Sequence, residues 1–276
     1  MTSTTTPAEH WSAVAPAWDR NTDHVESHSV AATEALVEAA GIRPGDRLLE
    51  LAAGPGSLGG RWSELVGPAG RVVISDIAPA MVDAARLRNT GRRNVEVAVL
   101  DASSIDRPEA SFDVVVCRMG LMFAPDPAVA FGEIHRVLGA GGRFAALTWA
   151  GIEHNPWMTC VGMAAMMNGL VAGGPPVAPG GIFSLGDPAH LAALVRDAAF
   201  VDVAVEEIPV TFHAETIDTH IARVSSLAGP LAVAFAGATP AQLAAVRQTA
   251  AQLAADHINE QGMALPGRAI LVAGRA

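Results

Sequence analysis

Glu50, Gly54, Gly56, Asp76 and Asp101 are the residues whose types and spacing first suggest chemistry. Gly54-Pro55-Gly56-Ser57-Leu58-Gly59 is a formal match to G-x-G-x-x-G, a turn that lets backbone approach a ligand closely and whose N–H groups can hold an anion. Asp76 stands 22 residues beyond Gly54, the distance of a carboxylate that accepts from ribose hydroxyls in any adenosyl site. Glu50 narrows the choice. A carboxylate at the mouth of the turn repels a pyrophosphate and complements a cation.

Strand tips must hold these residues. "DRLLELAA" (46–53) reads as a strand running into the glycine turn, and "RVVISD" (71–76), "NVEVAVL" (94–100), "FDVVVCR" (112–118) and "RFAALTW" (143–149) read as four more. Helices fit between them: Pro79 opens one, with Met81, Val82 and Ala85 on one face, and "DPAVAFGEIHRVL" (126–138) is another. This alternation predicts βαβ units and a mainly parallel sheet. Ligands of such sheets bind beyond the carboxyl ends of the strands, where the first four tips carry Glu50 with the glycines, Asp76, Asp101 and Arg118.

Upstream, residues 11–40 look helical, and Gly41 is placed to end the last helix. Beyond Trp149 the rhythm breaks. Residues 151–185 are rich in Met, Gly and Pro; 187–200 fits a helix and 201–213 a strand. Residues 239–262 predict a helix with Thr239 and Gln242 as a capping box and Leu243, Val246, Leu253 and Ile258 on one face. "RAILVAG" (268–274) reads as the last strand. No linker divides the chain, which implies one domain over 1–276, with a core at about 40–150 and lid helices at about 8–40, 151–195 and 214–262.

S-adenosylmethionine, with its ammonium and sulfonium, suits Glu50, and Asp101 is placed to accept from its adenine amino group. The motifs taken in order resemble the class I S-adenosylmethionine-dependent methyltransferases, in particular the ubiquinone/menaquinone-biosynthesis-like small-molecule group. "LLELAAGPG" is similar to the first motif, with Ala52 where the first glycine is usual; "ISDIAPAMVDAAR" resembles the ribose segment and "VAVLDASSI" the adenine segment. The resemblance implies a Rossmann-like, mainly parallel seven-stranded sheet with an antiparallel last strand, and helical additions at the N-terminus and between the late strands. It also implies a cofactor site of Glu50, Ala52, Gly54, Gly56, Asp76, Ile77, Met81, Asp101, Ala102 and Arg118, releasing S-adenosylhomocysteine. In this reading Gly59, the last glycine of the formal match, loses its special meaning.

Composition restricts the acceptor. A net charge of -10 with 18 Lys+Arg disfavours a nucleic-acid or anionic-lipid partner. "CRMGLMF" also stands where a nucleic-acid or protein methyltransferase would carry an Asn-Pro-Pro-aromatic tetrad. Cys117 and Cys160 have neither zinc spacing nor disulfide density, so no metal and a reducing cytoplasm are expected. The opening is polar rather than signal-like, and the longest apolar run, 157–174, is too short to span a membrane. A homodimer is admitted but not required.

The expected product is a methylated small apolar or aromatic metabolite of secondary metabolism, made by in-line displacement at an O, N or C atom. Trp18, Met119, Met122, Phe123, Trp149, Asn155, Trp157 and Phe183 are the acceptor-pocket residues, and Met158, Met163, Met166 and Met167 read as ordinary core. His154, just past the fifth strand, is the candidate base, with His24, His28 and His213 as weaker competitors. Two alternatives remain: an NAD(P)-dependent oxidoreductase, and a non-methylating enzyme on a methyltransferase fold.

Overall fold

The strand β1 (Arg47–Leu51) is buried at every residue but its first, as a near-continuous apolar run must be when both faces of its sheet are covered. The computed structural model describes residues 6–260 and 262–276, so the first five residues of the polar opening lie outside it. Around β1 the chain lays down β2 (Arg71–Asp76), β3 (Val95–Val99), β4 (Phe112–Arg118), β5 (Leu138–Trp149), β6 (Val201–Ala214), β7 (Ile258–Asn259) and β8 (Gly262–Arg275). The order across the sheet is β3-β2-β1-β4-β5-β8-β6, with the short β7 paired to β8 off this path. Neighbours from β3 to β5 are parallel, and β8 runs antiparallel to both β5 and β6. This is the Rossmann-like sheet expected, with its antiparallel last strand.

Because β2 and β3 lie on one side of β1 and β4 on the other, the strand order reverses there and opens a crevice at the carboxyl ends of β1 and β4. Helices α4 (Gly59–Val66), α5 (Pro79–Arg88) and α6 (Pro127–Val137) connect the parallel strands. Trp62, Phe131 and Phe144 are fully buried in the main core.

The predicted N-terminal helical region is three helices: α1 (Pro7–Arg20), α2 (Thr22–His28) and α3 (Val30–Ala40), the last ended by Gly41 in the left-handed conformation. After β5 come α7 (Pro156–Met167) and α8 (Pro188–Asp197), then α9 (Ile217–Leu227), α10 (Gly229–Ala236) and α11 (Pro240–Leu253) between β6 and β7. The capping box of Thr239 and Gln242 forms as predicted, but α11 stops at Leu253 rather than near 262. Its buried face is Val246 and Ala250, whereas Leu243 and Leu253 are exposed. Ile258 belongs to β7, and β8 begins six residues before the predicted strand. Backbone pairing with β6 along its whole length extends β8 through Pro266, where hydropathy alone gives no strand signal.

Candidate active site

Past Leu51 the chain turns through three left-handed residues, Ala52 (φ 51°), Gly54 (φ 56°) and Gly56 (φ 71°). Alanine at the first of these carries a conformational cost that glycine would not. The turn is tied to β2: Ala53 N–H donates to the Ser75 carbonyl, and Gly54 N–H donates to Asp76 Oδ2, both at 2.9 Å. The other oxygen, Asp76 Oδ1, accepts from Ala78 N–H at 2.9 Å. Asp76 therefore shapes the turn as well as bordering the crevice, and burial raises its pKa above the ordinary carboxylate value.

Gly56 does not border the crevice. A Cβ on it would lie 2.7 Å from the Ala85 Cβ, so its role is close approach of the turn to α5. Gly59 also regains a role denied it on sequence: a Cβ there would meet Asn89 at 2.2 Å and Ile74 at 2.3 Å. Gly56 and Gly59 thus have a packing reason, whereas Gly54 has open space around it and answers only to its left-handed φ; Asn89 ties the turn down by donating to the Gly56 carbonyl at 3.0 Å.

Glu50 is 3% exposed, and its Oε2 has no hydrogen-bond partner. Burial lifts its pKa to about 7, opposed by the Arg118 charge and the nearby Trp62 indole, whose N–H also lacks a partner. A buried carboxylate oxygen left open beside a cavity fits a cationic ligand.

That cavity, about 990 Å³, is bordered by Glu50, Ala52, Gly54, Asp76, Ile77, Met81, Asp101, Ala102 and Arg118 at one end. Asp101 uses Oδ1 to accept from Ser103 N–H at 2.8 Å, closing its own turn. Arg118 is less free than its strand-tip position suggested. It forms a two-bond ion pair with Glu26 of α2 and donates to Thr33 and Ser57 hydroxyls at 3.0 and 3.2 Å. Burial alone would raise the Glu26 pKa, but Arg118 and the Ser57 hydroxyl hold it below the usual value. A second clasp joins Arg88 of α5 to Asp19 of α1 and to the Pro55 carbonyl. Together they seat α1 and α2 over the glycine turn.

Trp18 borders the cavity as expected, its indole N–H donating to the Leu227 carbonyl at 3.0 Å, and packs with Trp11 against Met81 and Ala78 at the β2 end. Trp11 meets Phe123 edge-on at 4.7 Å. Met119, Phe123, Trp149, Trp157 and Phe183 border the cavity as expected. Met122 and Asn155 do not. Met122 is fully buried core, and Asn155 accepts from the Trp157 indole and Arg268 backbone while donating to the Ala150 carbonyl. On α7 the core face is Cys160, Val161, Ala164 and Ala165, so Met158, Met163 and Met166 face the cavity, contrary to the core reading; Met167 is exposed.

His154 is displaced as the candidate base. It sits in a short 3₁₀ turn (Ile152–His154), is not part of the cavity wall, and faces Glu153 at 3.4 Å. The histidines on the wall are His10, His24 and His220, with Arg223. Sequence reading passed over Glu26, His220 and Arg223. Only His220 left a trace, three residues after Ile217 and four before Val224 on the apolar face of α9.

Residues 49–146 match the family model described as a methyltransferase domain. The chain is 35% identical over 117 residues to the ubiquinone/menaquinone biosynthesis C-methyltransferase UbiE of Teredinibacter turnerae, a match covering 41% of this chain and 47% of that protein. It therefore spans about half the length of the curated relatives it matches. Among solved structures, the YcgJ protein of Bacillus subtilis superposes with a TM-score of 0.58 at 19% identity, over 88% of this chain and 96% of that one. The [4+2]-cyclase SpnF does so at 0.52 and 20% identity, over 96% and 95%. The segment holding the glycine turn, Asp76 and Asp101 thus belongs to the methyltransferase-domain family, of the class I S-adenosylmethionine-dependent type.

Proposed function

We propose that the chain transfers a methyl group from S-adenosylmethionine to a small apolar or aromatic acceptor. Glu50 carries this reading: a cationic ligand supplies the partner that its buried Oε2 lacks. A pyrophosphate at the same place would face a carboxylate, which counts against a nicotinamide site.

When bound, the cofactor supplies a methyl group already activated by its sulfonium. The protein's work is then placement and exclusion of water. Asp76 retains lone pairs for the ribose hydroxyls, Asp101 and Ala102 serve the adenine edge, and Ile77 with Met81, which packs under Trp11 and Trp18, forms its apolar walls. Met119, Phe123, Trp149, Trp157, Phe183 and the α7 methionines surround the acceptor, soft side chains that adapt to a bulky ring. The relatives' name, a C-methyltransferase of quinone biosynthesis, favours a quinone-like acceptor and carbon over oxygen or nitrogen. A cytoplasmic site of action goes with this reading, given two buried free thiols and, among the described residues, no helix long and apolar enough to cross a membrane.

Calorimetric titration with S-adenosylhomocysteine, together with labelled methyl transfer into extracted metabolites, tests it. Binding with label transfer is expected. Tight NADH binding with none of the adenosyl ligand overturns the reading, and binding without any label transfer turns it into the non-methylating alternative.

A further inference from the structure

We propose that His220 is the catalytic base of the acceptor site and that the acceptor is an acidic hydroxyl compound, a phenol or enol; this rests on the methyl-transfer reading above. His220 is 3% exposed, and its Nε2 lies 2.6 Å from the Trp157 carbonyl oxygen. A carbonyl only accepts, so Nε2 bears the proton and the neutral ring offers the lone pair of Nδ1. The imidazole is thus fixed in tautomer and orientation by a backbone group, the arrangement a general base requires.

Its surroundings suit a flat, acidic acceptor. His220 borders the cavity beside Trp157, Phe212 and Val224. Trp157 stacks on Phe212 at 4.2 Å and meets Trp149 at 4.9 Å, making an apolar wall for a planar ring. Arg223, on the same helix and also on the cavity wall, is loosely held by Glu215 at 3.6 Å and by the His213 carbonyl, to which it donates at 3.5 Å. His24 and His28 of α2 approach from the other side, 4.2 Å between ring centroids, and His213 of β6 lies 5.8 Å from His28. Asp218 of α9 is occupied by Arg247 of α11.

Burial lowers the His220 pKa against the opposing Trp157 carbonyl, with Arg223 and His28 adding to the lowering. Burial, with His28 and Arg223 adding to the lowering, brings His24 to about 4. At neutral pH His220 and His24 are therefore neutral, beside the Arg223 guanidinium. This corner gains from an anion and is penalised by an ammonium, which selects a phenolate or enolate over a protonated amine.

In the step itself the acceptor O–H bond breaks, the proton bonds to Nδ1 of His220, and the electron pair stays on the acceptor as the nucleophile. The resulting imidazolium keeps its Nε2–H bond to the Trp157 carbonyl, strengthened by charge, while Arg223 faces the oxyanion side. Methyl transfer releases one proton overall. It is the one His220 holds, and water takes it up after product leaves.

The test uses the full chain with ¹⁵N-labelled histidine, saturated with S-adenosylhomocysteine and titrated with 2-naphthol. We expect a neutral Nε2–H tautomer for His220 at pH 7 and a shift of Nδ1 toward the protonated position when the naphthol binds. An Nδ1–H tautomer, or no response of His220 to 2-naphthol in protein that binds S-adenosylhomocysteine, overturns the base role and leaves the methyl-transfer reading standing; failure to bind either adenosyl ligand overturns that reading itself. His220→Gln keeps a donor for the Trp157 carbonyl and so preserves folding. It should lower labelled-methyl transfer to 2-naphthol at least ~100-fold and remove the fall in rate at low pH, with cofactor affinity unchanged. Equal rates in the two proteins also overturn the proposal.

Discussion

The Cβ of Ala52 lies 2.3 Å from the position a Cβ on Gly120 would take, closer than two carbons can approach. The two residues share one methyl-sized space where β1 and β4 end, and only one of them can fill it. Ala52 fills it in spite of its left-handed backbone, and Gly120 gives way by having no side chain.

This relationship makes two substitutions move in opposite directions. Gly120→Ala adds the second methyl between Ala52 and Cys117 and should destabilise the protein by about 1–3 kcal/mol, as overpacking does. Ala52→Gly removes the backbone penalty and should leave stability unchanged or raise it by up to about 1 kcal/mol. Urea denaturation of both variants decides the matter, and a Gly120→Ala protein as stable as wild type would contradict the shared space.

Asp76 serves two backbone donors as well as the crevice, so its loss should be felt twice. Asp76→Ala should weaken S-adenosylhomocysteine binding at least tenfold and also lower stability by about 1–3 kcal/mol for each buried N–H left without an acceptor. Calorimetry and melting read the two effects separately. A stable protein with unchanged affinity would remove Asp76 from both roles.

Glu50 should leave a signature in the pH dependence of stability. Its folded pKa, raised to about 7, exceeds the ordinary 4.5, so between those values the folded state holds the extra proton. Stability then falls as pH rises from about 4.5 to 7 and levels off above, a contribution on the order of 3 kcal/mol. Glu50→Gln should abolish this slope, seen as the wild-type-minus-variant difference in melting. Affinity for S-adenosylmethionine should rise over the same pH range in wild type only.

The ion pair of Glu26 with Arg118 should govern how firmly α1 and α2 are seated. Glu26→Gln leaves a largely buried guanidinium without its counter-charge and should cost about 2–3 kcal/mol, less than a fully buried pair. Limited proteolysis should cut within residues 7–28 faster in this variant, with S-adenosylhomocysteine restoring part of the protection. Identical cleavage rates would show that the clasp does not hold the helices down.

What the sequence made legible follows from range. Glu50, Asp76 and Asp101 were readable because each lies at or just past the end of a strand whose own pattern announces it, and the parallel order fixes where such tips meet. His154 was misread for the converse reason. Proximity to β5 in sequence placed it near the acceptor, but the 3₁₀ turn carries it off the wall. The residues that do stand there, His220 and Arg223, arrive from α9 about 70 positions later, through a contact with the Trp157 carbonyl that no local pattern encodes. Arg118 was placed correctly at its tip, yet its partner Glu26 lies 92 residues away. The α7 methionines were indistinguishable from core because an apolar helix face looks the same whether it meets protein or an open cavity.

The placement of β8 also has a bearing on the order in which the two halves of the cavity come into being. β6 has β8 as its neighbour in the sheet, and β8 in turn fills the slot beside β5. The strands from β1 to β5, with the glycine turn and both aspartates, can pair as soon as residue 149 has left the ribosome. Phe212 on β6, and α9 behind it, must wait for the strand that anchors them, whose Leu265 pairs with Phe212 from 53 residues further on. During synthesis, then, the nucleoside-facing half can be complete while the acceptor wall is still unformed, with the edge of β5 bare until the last strand slides in.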